Sequence, residues 1–159
     1  MSYITVSESE IIHAPSDLVY RILADYHEGH QAIVPRKYFK EVTVTNGGFG
    51  EGTEIDLVMV IMGRTRYASM RVSEPEPGSV IVEETSDGTM RTVFTLENLR
   101  DGLTRVTIST KFTKSPGLKG WIEERTIPGV CSKIYREELN NLNNYAKDRS
   151  AASHIPLFA

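Results

Sequence analysis

Two hydrophobic rhythms divide this chain. From about Tyr38 to Phe112 apolar residues tend to alternate with polar ones, the period of strands with one covered face. Beyond Pro116 the period lengthens: Ile127, Cys131, Tyr135, Leu139, Leu142 and Ala146 recur every three or four residues, while Arg136, Glu137, Asn140 and Asn144 point elsewhere. The pattern predicts a helix from Gly117 to about Arg149 that lies across something broad. Pro128 falls inside it and should kink it, since the proline withholds the bond to the carbonyl of Glu124. Ahead of that point Leu118, Trp121 and Ile122 are out of phase with the later stripe, so the two halves should face different surroundings.

The alternating region resolves into strands. Lys40 to Thr45 leads through the glycine-rich Asn46–Gly52 into a hairpin of Thr53–Met62 and Arg64–Glu74. A two-residue turn at Met62-Gly63 or Gly63-Arg64 puts Ile55, Leu57, Met59 and Ile61 on one face with Arg66, Ala68, Met70 and Val72. Arg66 is the exception on an otherwise apolar face. After the turn Glu74–Gly78 comes a strand from Ser79 to Thr85, where either Glu83 or Glu84 faces inward. The last hairpin, Met90–Asn98 with Thr104–Phe112 around Arg100-Asp101-Gly102, turns Thr92, Phe94, Leu96, Val106, Ile108, Thr110 and Phe112 to one side. Upstream, Ile4 to Ile12 reads as a strand. Ala14-Pro15-Ser16-Asp17 opens a short helix burying Leu18, Val19, Ile22 and Leu23, and a second short helix spans Glu28 to Ile33 before Pro35.

Composition narrows the class. At 159 residues with 40% apolar content, one globular domain over residues 1–149 is expected, followed by a tail, 150–159. The tail is apolar at Ile155-Pro156-Leu157-Phe158, which suggests a groove or a homodimer contact. A net charge of −3 without a basic block argues against nucleic acid. No signal-like or membrane-spanning run appears, and the lone Cys131 allows no internal disulfide, so a cytoplasmic protein is expected.

The order strand, two short helices, six antiparallel strands and long helix resembles the helix-grip fold of the START/Bet v 1-like superfamily. More narrowly, the chain is similar to the polyketide cyclase/dehydrase and lipid-transport family over about residues 3 to 147. The resemblance is carried by Ile12-His13-Ala14-Pro15-Ser16-Asp17-Leu18-Val19-Tyr20, Gly50-Glu51-Gly52-Thr53, Thr92-Val93-Phe94-Thr95-Leu96, Gly102–Thr107 and Glu138–Tyr145. It implies an α+β fold: a seven-stranded curved antiparallel sheet wrapped round the long helix, enclosing a cavity for a small hydrophobic molecule, with the glycine-rich loop as a flexible rim. It implies no particular reaction, because similar proteins include carriers, receptors and aromatase/cyclases.

Within that frame the expected lining is Leu57, Met59, Met70, Phe94 and Ile108 from the sheet, with Trp121 and Ile122 from the helix. Thr92 and Thr110 supply polar groups. Arg66 cannot shed its charge on an inner face, so it needs a carboxylate such as Glu83 or Glu84, solvent, or an anionic group of a ligand. His27 and His30, three apart and near Asp25 and Glu28, are the candidates for proton transfer, and Phe49 joins Trp121 as a candidate lid. Neither a metal site nor a cofactor is expected: the glycine-rich loop lacks a dinucleotide or phosphate-loop pattern, and no third histidine stands nearby in sequence. The first expectation is therefore a binder of a small hydrophobic or amphipathic molecule. The alternatives are a cyclase, aromatase or dehydrase using the same cavity, and a protein-interaction module acting through the tail.

Overall fold

The computed structural model describes residues 2–153. In chain order it contains β1 (Tyr3–Ile12), α1 (Ser16–Ala24), α2 (Gly29–Ile33), β2 (Phe39–Asn46), β3 (Glu54–Ile61), β4 (Arg64–Glu76), β5 (Val80–Thr85), β6 (Met90–Arg100), β7 (Leu103–Thr113) and α3 (Gly117–Ser153). The seven strands form one antiparallel sheet in the order β1-β7-β6-β5-β4-β3-β2. This is the α+β helix-grip architecture. Helix α3 continues to Ser153, so residues 150–153 belong to it rather than to a tail. The apolar segment Ile155–Phe158, and the dimer contact expected from it, lie outside the described residues.

Parity fixed most of the register. Ile61 pairs with Arg64 around Met62-Gly63, both with positive φ (51° and 73°), the requirement of a type I′ turn. Leu57 then opposes Ala68, and Met59 opposes Arg66. The last hairpin differs in detail. Arg100 pairs with Leu103, so Asp101-Gly102 alone makes the turn and the extra residue is absorbed between Asn98 and Arg100. Thr92 still meets Thr110. Strand β4 also runs on through Pro75 with a one-residue shift between Ser73 and Glu76, where a plain turn was expected. A bulge accommodates a proline that a regular ladder would reject.

The core lies between the sheet and the second half of α3, where Ile134, Leu139, Leu142 and Ala146 are buried beside Val6, Ile12, Val106 and Leu23. Helix α2 is set by two short-range devices. The Asp25 carboxylate accepts from the backbone N–H groups of His27 and Glu28 at 3.0 and 3.2 Å, which turns the chain into the helix. Gly29 then lets α2 approach α1, since a Cβ there would lie 2.5 Å from the Ile22 carbonyl oxygen. Asn141 of α3 donates to the Ile33 carbonyl at 3.0 Å and ties α2 to the long helix.

The glycine-rich loop is pinned rather than free. Gly50 N–H donates to the Ala24 carbonyl and Tyr26 N–H to that of Gly48, both at 2.9 Å. Glu51 N–H donates to Glu74 at 3.0 Å, and Tyr20 donates its hydroxyl proton to the same carboxylate. Burial and this bond push the Tyr20 phenol up to about 12. The loop thus closes on the α1–α2 junction and contributes nothing to the cavity wall, contrary to the rim expected from the resemblance.

Candidate functional site

Between the sheet and α3 lies a cavity of about 950 Å³. Its walls are mostly apolar: Leu57, Met59, Met70, Phe94 and Ile108 come from the sheet, and Ile122, Ile127, Val130 and Ile134 from the helix. Such a volume matches the clefts that hold small molecules.

Among the sequence candidates, Thr110, Trp121, Phe49 and His27 stand apart from this lining. Thr110 is fully buried behind the wall, with its hydroxyl engaged by Thr92 and Tyr135. Trp121 lies one residue, about 100°, around α3 from cavity-facing Ile122. It is 51% exposed beneath the guanidinium of Arg125, 4.3 Å from its ring centre. Phe49, the other candidate lid, is also exposed and away from the cavity.

Arg66 lines the mouth, together with Arg64, Lys119 and Glu123, and is exposed. Neither expected partner reaches it. Glu84 points to the outer face, where Arg91 Nε is 3.1 Å from its carboxylate, and Glu83 lies at the opposite, deep end. Glu123 is held below the usual carboxylate range chiefly by the Ser115 N–H and hydroxyl, at 2.9 and 2.8 Å, with a smaller contribution from Arg66. The mouth is therefore charged and wet.

The deep end is charged and buried. The two histidines separate: His27 is exposed, its Nε2 so close to Gly48 that a Cβ there would lie 1.9 Å away, whereas His30 is buried and faces the cavity. His30 Nδ1–H donates to the Leu23 carbonyl at 2.8 Å, which fixes the tautomer and the ring. Tyr26 stacks on the imidazole with ring centres 4.4 Å apart, and Phe94 meets it edge-on at 5.5 Å. The other nitrogen, Nε2, is 3.3 Å from Glu83 Oε1 and 3.9 Å from Glu138 Oε1. Lone pairs would oppose one another there, so the Nε2–Glu83 contact requires a proton between them.

Glu83 also accepts the Tyr26 hydroxyl proton at 2.7 Å. Burial, then the Glu83 charge, raises the Tyr26 phenol well above its ordinary range. Glu138, on α3, is 4% exposed and lines the cavity without a hydrogen bond to its carboxyl from any described residue. Burial first, and the neighbouring Glu83 second, push this carboxyl up to about 8. Beside it, Tyr135 donates to Thr110 at 2.5 Å, and Thr110 shares a 2.8 Å bond with Thr92 on the cavity wall. Burial raises the Tyr135 phenol strongly and the Cys131 thiol to about 11, so both stay protonated near neutrality.

Sequence reasoning missed Tyr26, Glu138 and Tyr135 as members of this cluster. One signal was present: Glu138 follows Ile134 by four residues and precedes Leu142 by four, a charge at apolar spacing. Among the described residues no group of three or more His, Cys, Asp or Glu is arranged to hold a metal ion. No described helix is long and apolar enough to cross a membrane.

A family model described as polyketide cyclase / dehydrase and lipid transport matches residues 3–147. No curated protein matches the sequence. Among solved structures, the KanY protein is similar with a TM-score of 0.80 and 22% identity over 92% of this chain and 99% of its own. The Zhui aromatase/cyclase from Streptomyces sp. R1128 also gives a TM-score of 0.80, at 20% identity over 96% and 99% of the two chains. A START superfamily protein from Mycobacterium smegmatis gives 0.70 at 13% identity over 91% and 97%. At these identities the likeness establishes the fold alone.

Proposed function

We propose, from the premise that this chain belongs to the polyketide cyclase / dehydrase and lipid transport family, that it binds a small hydrophobic or amphipathic molecule between sheet and helix. The observation that carries the reading is the 950 Å³ cavity, apolar along its length and polar at both ends. Apolar burial of about 25 cal/mol per Å² supplies the affinity. The mouth, with Arg66, and the deep cluster orient the ligand. Native mass spectrometry of the purified protein, followed by solvent extraction, tests this directly. A discrete extra mass of a few hundred daltons, released by solvent, is the expected result. Persistent absence of any adduct, together with failure to take up apolar probes, would count against it.

A second reading, an enzyme of the cyclase or dehydrase kind, is favoured by one feature: His30, Glu83 and Glu138 form a proton-holding group in contact with the cavity. A carboxyl whose affinity for protons lies near the working pH is suited to general acid–base transfer. If turnover of a cyclisable substrate is found, its rate should follow a bell-shaped pH profile that His30→Ala removes. A profile unchanged by that substitution would eliminate His30 from proton transfer.

A further inference from the structure

Glu138 presents a chemical demand that the protein itself leaves unanswered. Its carboxyl is buried and turned to the cavity, while its neighbours are committed to one another. His30 gives its Nδ1 proton to Leu23 and directs Nε2 toward Glu83; Tyr26 gives its proton to Glu83; Tyr135 gives its own to Thr110. No described side chain donates to Glu138 or accepts from it within hydrogen-bond distance. Among the described residues no fully inaccessible side-chain oxygen lacks a partner, so the unbonded Glu138 oxygens open onto the cavity, where an entering molecule can meet them.

We infer that Glu138 acts in its acid form as the hydrogen-bond donor that recognises an uncharged oxygen acceptor, a carbonyl or ether, at the inner end of the ligand. The inference rests on the cavity-binding reading and deepens it. Burial first, and the neighbouring Glu83 carboxyl second, disfavour a negative charge on Glu138, so its proton remains available. A neutral acid attracts a carbonyl oxygen and has little net attraction for a cation. The cationic side chains Arg64, Arg66 and Lys119 stand at the mouth, far from competing for that oxygen. Ligand orientation follows, with the neutral oxygen inward and any anionic group outward.

The groups facing Glu138 are Glu83 from β5, His30 from α2, Tyr26 from the segment between α1 and α2, and Tyr135 from α3 itself. The two phenols remain protonated through pH 9.5, since both are shifted upward by burial. Glu138→Gln and Glu138→Leu leave Glu83, His30 and both phenols in place, which makes those variants the proper control.

Three probes of similar shape separate the possibilities: 2-acetylnaphthalene, 2-isopropylnaphthalene and 2-(2-naphthyl)ethylamine, titrated by calorimetry or fluorescence at pH 6.5 and 9.5. The ketone should bind about tenfold more tightly than the hydrocarbon at pH 6.5, and that advantage should vanish at pH 9.5 as Glu138 ionises. Glu138→Gln, which keeps a donor but cannot titrate, should retain the preference at both pH values. Glu138→Leu should lose it at both while still binding the hydrocarbon. Equal ketone and hydrocarbon affinities at pH 6.5, tightest binding by the amine at pH 6.5, or a pH effect that survives in Glu138→Gln would each overturn the inference while leaving the cavity reading intact. Failure of all three probes to bind would overturn the cavity reading and this inference with it.

Discussion

Glu138→Gln should make the protein more stable at alkaline pH than the native chain, by on the order of 5 kcal/mol above pH 8. The native carboxyl titrates near 8 against an ordinary value of 4.5, so between those limits the folded state holds a proton that the unfolded state has released. Stability from this group is therefore complete below pH 4.5, declines as pH rises through that window, and has been lost above 8. Glutamine fills the same space with no charge to bury. At pH 7 the difference should be roughly 3 kcal/mol, and below pH 4.5 it should disappear. Urea unfolding at pH 4, 7 and 9 measures it. A gap that is the same at all three would show that Glu138 does not titrate in the folded protein as its surroundings require.

Leu139→Ala, one residue further along α3, should cost about 3–5 kcal/mol, the upper range for a leucine truncated in a core that cannot collapse around it. Leu139 is 1% exposed and lies outside the cavity lining, so no ligand space is gained by shortening it. Leu118→Ala, at the other end of the same helix, should change stability by less than about 0.5 kcal/mol because Leu118 is 73% exposed. Thermal or urea unfolding of the pair distinguishes the anchored half of α3 from the half that borders the mouth. Equal losses would mean that the helix is gripped along its whole length.

How much of this was legible in the sequence depended on how local the determining forces were. The shared inner face of Leu57, Met59 and Met70 followed from parity with the turn at either Met62-Gly63 or Gly63-Arg64, and the structure takes the first. Glu83 was not distinguishable from Glu84, because the shift between Ser73 and Glu76 inserts a residue that counting along an ideal ladder cannot see. Pro75 marked the irregularity without fixing its size. Along α3 the apolar stripe located Cys131, Tyr135 and Leu139, yet Glu138 sits at the edge of that stripe, about 20° beyond Cys131, and carries a charge, so its burial depends on Glu83 and His30 arriving from other elements. His30 was visible as a candidate only together with His27; the backbone turn made by Asp25 sends one inward and leaves the other in solvent. Trp121 shows the converse error. Its place beside Leu118 and Ile122 suggested a lining or lid residue, but helical angle and the partner Arg125 hold it at the surface.

The missing amide proton at Pro128 also has a kinetic meaning. Helix α3 spans 37 residues, but its ladder of backbone bonds has a gap at that proline, and Thr126 adds a side-chain bond to the Ile122 carbonyl at 2.9 Å just before it. Cooperative propagation through a helix relies on an unbroken ladder, so the amide protons of the Gly117–Ile127 turns should exchange with solvent faster than those of the segment that holds Leu139, Leu142 and Ala146 in the core, which hydrogen exchange measures. On the proposed binding role, a molecule would cross the cavity mouth by partial fraying of one helix end, on a timescale set by a few contacts instead of by the unfolding of the domain.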